Sequence, residues 1–240
     1  MSDIEIIFIC TYIIIILIVF LVWNYFHNKK LYEETTYFQN TNIPYSQIRH
    51  DLGHNGEYLI YKVLKNLEQE GAKFLFNLYI PTYNNKTTEI DVVMITSRGI
   101  FVFESKNYSG WIFGTESQKR WTQSLHIGYG DTQKEHFYNP IMQNEYHIKY
   151  LNKLLGTQYK YHSIIVFSND CEFKKIIRNP NSNSYLIYRC ELYKTVQNIM
   201  AFQTITLSSE DILNIYNKLY KYSQVDEITK LQHINSLKHK

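Results

Sequence analysis

The chain has only three cysteines in 240 residues, Cys10, Cys171 and Cys190, an odd number with no metal-ligand spacing. That excludes a disulfide-stapled scaffold and a zinc finger or ribbon, and it suits a reducing compartment. There is no glycine-rich phosphate loop and no G-x-S-x-G elbow, so neither nucleotide-cradling nor serine-hydrolase chemistry has a starting motif. No internal repeat is present, which removes solenoids and propellers. The formal net charge is +3. A basic arm of the kind that clamps nucleic acid by charge alone is missing.

A long uncharged run is present at the front. Ile6–Trp23 is eighteen residues without a charge, with Thr11 its one clearly polar member. At about 1.5 Å per residue it is roughly 27 Å long, enough for a bilayer core. Trp23 and Tyr25 suit the interfacial aromatic belt. Asp3 and Glu5 stand where a cleaved signal would be basic, and no small-x-small site follows. Residues 1–30 are therefore expected to be an uncleaved single-pass anchor in the cell membrane, meeting the bilayer through residues 6–23. Lys29 and Lys30 follow the run while acids precede it, so the positive-inside rule expects the rest of the chain in the cytoplasm. Residues 31–45 read as a polar linker in which Tyr32, Tyr37 and Phe38 can still pack. The remainder leaves room for one α/β domain of ordinary size, and a 45% hydrophobic content supports a real core.

The chemistry-bearing segment is Glu89-Ile90-Asp91, with Glu104-Ser105-Lys106 following thirteen residues after Asp91. Residues 87–96 and 99–107 both read as strands, with hairpin-length spacing between them. If Ser97 and Arg98 form the loop, 95 faces 100, 93 faces 102, and Asp91 faces Glu104. A loop at Arg98-Gly99 would instead oppose Asp91 and Lys106. Either register keeps Asp91, Glu104 and Lys106 on one face, because strand side chains alternate. Directly opposed acids destabilise a sheet, and a divalent cation reverses that cost. Mg²⁺ takes one or two carboxylates plus water and substrate phosphate. The same residues could instead be a solvated face, but the flanks are strongly apolar: Ile100 and Val102 share the Glu104 face and Phe101 and Phe103 the other. A buried acid there needs a cation or a charge partner.

These residues sit in a wider pattern. Gly53-His54-Asn55-Gly56-Glu57, Thr88–Asp91, Gly99–Gly110 (GIFVFESKNYSG), the tryptophan-bearing segments at Trp111 and Trp121, and Asn139-Pro140-Ile141 with Gln143 and His147 occur in order. Over residues 49–170 the chain resembles the nuclease-related domain (NERD) group of the PD-(D/E)xK nucleases. The resemblance implies a restriction-endonuclease-like α/β core over residues 46–170: a helix, antiparallel strands, a helix and a strand. It implies a Mg²⁺ (or Mn²⁺) site with Asp91, Glu104 and Glu57 as ligands, Lys106 orienting water, Gln143 assisting, and DNA or RNA as substrate. No acid or lysine of that set is missing.

Around the set, the residues themselves allow plainer readings. A helix over 52–69 would bury Leu52, Leu59, Ile60, Val63, Leu64 and Leu67 and end at Gly71. Its periodicity alone leaves Glu57 on the surface. Asn139-Pro140 is a helix start, and it puts Gln143 and His147 four apart on one face. His147 reads as a hydrogen-bonded buried histidine rather than a metal ligand. Trp111, Trp121 and Tyr108 read as packing residues. Beyond the core, residues 171–240 read as an extension with a strand at 184–188 and helices from Leu192 and from the Ser208 cap. His233 and His239 read as solvated. Two functions follow as expectations: a membrane-anchored metal-dependent nuclease, or a non-catalytic tethered binding or scaffolding module that keeps the fold.

Overall fold

A computed structural model of the protein describes residues 3–83, 86–128, 130–204 and 206–238; His239 lies outside them. The first helix, α1 (Asp3–Glu33), carries the apolar run, and none of that run is buried. It is long and apolar enough to cross a membrane. The helix then continues past the run and ends inside the domain. Tyr32 is 1% exposed and joins the core, as does Tyr37 of the next helix, α2 (Thr36–Thr41). Thr35 caps α2 by accepting from the Phe38 N–H. The stretch 31–45 is thus packed on the domain rather than trailing from it.

Two short turns of chain lead to α3 (Tyr45–His50) and α4 (Leu52–Leu64), which runs on as a 3₁₀ turn to Glu70. Gly71, at φ 90°, stops it. The buried face of α4 is Gly56, Glu57, Ile60, Tyr61 and Leu64. This differs from the expected face at two positions. Leu52 is 70% exposed because it sits in the first turn, before the helix reaches the sheet. Glu57 is buried, because it lies one turn before Ile60 and Tyr61 on the stripe that meets the sheet.

Among the described residues nine strands form two sheets. The larger contains β1 (Lys73–Pro81), β2 (Thr87–Thr96), β3 (Gly99–Lys106), β7 (Tyr161–Phe167) and β9 (Ser184–Tyr188), in the order β1-β2-β3-β7-β9. The first three strands are antiparallel, and β7 and β9 run parallel to β3. The smaller sheet has the order β6-β5-β4-β8, from β4 (Gly110–Thr115), β5 (Arg120–Gly128), β6 (Asp131–Tyr138) and β8 (Cys171–Ile177). Between β6 and β7 lies α5 (Pro140–Leu155). The chain ends with α6 (Leu192–Phe202), α7 (Ser209–Tyr220) and α8 (Glu227–Lys238).

The larger sheet is covered on both faces. On one, α4 and α6 pack Ile60, Tyr61, Leu64, Leu192 and Val196 against Phe74, Val92, Phe101 and Phe103. On the other, α5 and α7 pack Leu151, Ile212, Ile215 and Leu219 against Val93, Ile95, Ile100 and Val102. Each such side chain fully buried contributes about 1.5–3 kcal/mol, so β3, apolar on both faces, is the centre of the fold. The α4–sheet–α5 layering and the order helix, antiparallel strands, helix, strand make the nuclease-like α/β core expected from the resemblance. The smaller sheet packs beside it through Ile112, Trp121 and Phe167. Trp121 is buried against Phe167 and Phe137, a packing residue as expected. Tyr108 stacks edge-on to the same two rings.

Candidate active site

The β2–β3 hairpin settles which register holds. Thr96 pairs with Gly99, Ile95 with Ile100 and Val93 with Val102, so Ser97 and Arg98 form the loop. Gly99 takes φ +123°, and a Cβ there would lie 2.6 Å from the Lys160 carbonyl oxygen; only glycine fits. Continuing this register past Val92–Phe103 brings Asp91 opposite Glu104.

Glu104 is 1% exposed and both its oxygens are engaged. Oε1 accepts from Lys106 Nζ at 2.6 Å, and Oε2 lies 3.1 Å from His147 Nε2. Burial pushes this carboxyl up, but the Lys106 charge and the His147 contact outweigh it and hold it below the usual carboxylate range. Lys106 shifts the other way. Burial would lower its ammonium, and the charges of Glu104 and Asp91 raise it above the usual lysine range. Lys106 Nζ also donates to Gln143 Oε1 at 3.3 Å. Asn139 caps α5 as expected, accepting from the Ile141 and Met142 N–H groups. One turn on, Gln143 and then His147 meet β3, and His147 Nδ1 lies 2.8 Å from Thr88 Oγ1 of β2. His147 is the hydrogen-bonded buried histidine of the sequence reading.

Asp91 is differently placed. Phe76 pairs with Val92 and Leu78 with Ile90, leaving Asn77 and Asp91 facing each other between them. Asn77 is left-handed, at φ 51°. Both strands change face here: Phe76 and Val92 belong to the α4 side, Leu78 and Ile90 to the α5 side. Asp91 stands at that switch, with its Oδ2 accepting the Ser105 backbone N–H at 2.7 Å. Burial first, then the charges of Glu104 and Glu57, push its carboxyl well above the ordinary aspartate range.

Glu57 approaches from α4. Its Oε2 accepts from the Tyr37 hydroxyl at 2.9 Å, and Oε1 lies 3.6 Å from His54 Nδ1. Neither Tyr37 nor a buried Glu57 carries a signal in helical periodicity. A further acid, Glu89, accepts from Tyr79 Oη at 2.6 Å and is 3.7 Å from His233 Nε2. Burial is the main cause that raises the Glu89 carboxyl. His233, expected to be solvated, is instead 5% exposed, because α8 folds back over β2 and inserts it beside Thr87.

Asp91, Glu104 and Lys106 therefore gather around the end of the β2–β3 ladder, Gln143 joins through Lys106, and Glu57 reaches Asp91 electrostatically from the other face. Among the described residues no three His, Cys, Asp or Glu side chains converge as a ready-made metal cluster. The donor set still suits a hard cation. It offers two facing carboxylates, and among the described residues nothing donates to Asp91 Oδ1. Two carboxylates completed by water and phosphate is how Mg²⁺ is commonly held. A cation would also relieve the like-charge crowding that raises Asp91.

The nuclease-related domain family model matches residues 52–168. An uncharacterized protein of Bacillus anthracis is 30% identical over 189 residues, covering 78% of this chain and 84% of its own length. The chain belongs to the nuclease-related domain family. The NERD segment runs from the first turn of α4 to the end of β7, so it holds Glu57, Asp91, Glu104, Lys106 and Gln143 but neither Tyr37 nor His233. No solved structure matches the chain.

Proposed function

We propose that the NERD domain is a metal-dependent phosphodiesterase acting on nucleic acid, DNA or RNA, anchored in the cell membrane by α1 with the domain on the cytoplasmic side. The observation that carries this is the Asp91–Glu104–Lys106 arrangement: two facing acids at the end of the β2–β3 ladder in the middle of the sheet, with an ammonium fixed by one of them. Asp91 and Glu104 would hold Mg²⁺ or Mn²⁺, with Glu57 as a further oxygen donor. Such an ion polarises a phosphoryl oxygen and lowers the pKa of a water.

The chain's own residues supply the rest. Lys106, raised and therefore charged, orients the attacking water or stabilises developing negative charge on phosphate. Gln143 fixes the Lys106 head from α5, and His147 orients Glu104 from one turn further on.

The test is calorimetric titration of the full chain in detergent micelles with Mn²⁺ or Mg²⁺, wild type beside Asp91→Ala, followed by cleavage assays on single-stranded DNA, duplex DNA and RNA. Metal binding and cleavage both lost in the variant are the expected results. A metal-loaded wild type that cuts none of them, with affinity unchanged in Asp91→Ala, would sink the reading.

One observation favours a second reading, a tethered binding or scaffolding module. Both Glu104 oxygens already have partners, Lys106 and His147, without any metal. In that case Glu104→Gln would leave divalent-ion affinity unaltered.

A further inference from the structure

The anchor helix and the domain meet without slack. Tyr25 lies two residues beyond the end of the uncharged run, about 3 Å along the helix, and it already touches the domain. Its ring centroid is 5.6 Å from that of Tyr45, and Arg49 Cζ sits 5.7 Å over its face, both on α3. Less than two turns later Tyr32 is locked into the core, with its hydroxyl donating to the Ile43 carbonyl at 2.7 Å and its ring 5.5 Å from Tyr45. A headgroup layer is roughly 5–8 Å deep on each side of the hydrocarbon. A helix that leaves the hydrocarbon near Trp23 therefore carries Tyr45 and Arg49 at headgroup depth.

The exposed chemistry of that element suits the location. Arg49 and His50 are exposed, Leu52 is 70% exposed, and Phe26 on α1 is 60% exposed. Two of the neighbouring acids are engaged: Glu33 pairs with Lys29 at 3.6 Å, and Asp51 caps α4 by accepting the His54 N–H at 2.9 Å. Cations beside bulky apolar side chains are the mark of a segment lying in the interface plane.

We propose that α3 and the first turn of α4 rest on the phospholipid headgroup layer, with Arg49 on lipid phosphate and Leu52 at the interface. This rests on the reading that α1 crosses a bilayer. It also fixes where the candidate site lies. The Leu52 carbonyl accepts from Asn107 Nδ2 at 3.0 Å, and Asn107 follows Lys106 directly. Counting the chain from Arg49 to Leu52 and across that bond puts Lys106 within about 20 Å of the headgroups. Substrate then reaches it at the membrane surface.

The experiment uses the full chain with Cys10→Ser and Cys190→Ser, leaving only the buried Cys171. It is reconstituted in phosphatidylcholine vesicles containing phosphatidylglycerol and a lipid spin-labelled at headgroup depth. A fluorophore is placed at Leu52→Cys or, separately, at Val22→Cys. Quenching at both positions is the expected result, with Arg49→Glu diminishing it at position 52 alone. Quenching at Val22→Cys without quenching at Leu52→Cys overturns the proposal while leaving the anchor standing. Quenching at neither position overturns both. Full quenching at position 52 in Arg49→Glu overturns the phosphate contact.

Discussion

The two faces of the central sheet treat their acids in opposite ways. On the α5 face, Glu104 is neutralised by Lys106 and His147, and its carboxyl is held low. Toward the α4 face, Glu57 and Glu89 lean on tyrosine hydroxyls and on histidines at 3.6 and 3.7 Å. Asp91 lies between the two groups and is pushed up first by burial and then by Glu104 and Glu57. One side of the sheet pairs its acid with an ammonium, and the other sets its acids among hydroxyls and imidazoles. Structural ion pairs alone would produce the first condition. The second leaves Asp91 as the acid whose crowding a bound proton or a cation would relieve, and the metal site proposed above takes the cation.

The comparison breaks most sharply at Lys106. Lys106→Met leaves Glu104 buried with His147 as its one remaining partner, and removing one member of a buried pair costs about 3–5 kcal/mol. A urea midpoint that hardly moves would show the α5 face is not closed by this pair.

Asp91 sharpens the contrast through pH. An acid whose folded pKa is raised binds more protons folded than unfolded, so the metal-free protein loses stability as pH rises from the ordinary aspartate range through the raised value, by at most about 1.4 kcal/mol per pH unit. Glu104 has the opposite sign. Its contribution is present above the ordinary carboxylate range and is lost as pH falls through its lowered value. Asp91→Asn should shrink the loss on rising pH to the share that the raised Glu89 carboxyl keeps, and leave the acid-side loss intact, as read from melting temperature against pH. Added Mg²⁺ should mimic the substitution in the wild type. An unchanged alkaline limb in Asp91→Asn would assign that loss elsewhere.

The smallest effect belongs to the α4 face. Tyr37→Phe removes one hydroxyl donor from Glu57 and should cost about 0.5–1.5 kcal/mol, measured by chemical denaturation, because His54 stays beside the same carboxylate.

What could be read from the sequence divides along physical lines. The hairpin, the Asn139 cap, the Gly71 stop and the Ser208 cap follow from local turn and capping chemistry, which single residues encode, whereas the choice between the two hairpin registers comes from the structure. The acid–acid–lysine juxtaposition follows from strand alternation in either register. Other features depend on partners distant in sequence. β6 is exposed along nearly all its length, so Asp131–Tyr138 has no alternating apolar face to betray it. β8 gains its strand character by pairing with β4. Glu57 looks like any helix-surface acid until Tyr37 and the sheet close over it, and His233 is buried only because α8 folds back. The change of face at Asn77 and Asp91 is invisible to a strict two-residue period.

Asn139 has a consequence for how this molecule folds. Beyond capping α5, its side-chain amide donates to the Glu116 and Gln118 carbonyls at 2.8 Å each, in the turn between β4 and β5. One side chain thus starts a helix and fastens a hairpin more than twenty residues upstream. The helix that delivers Gln143 and His147 to β3 is thereby tied at its start to that hairpin. The acceleration of unfolding and the slowing of folding by Asn139→Ala would report how much of this clasp exists at the rate-limiting barrier.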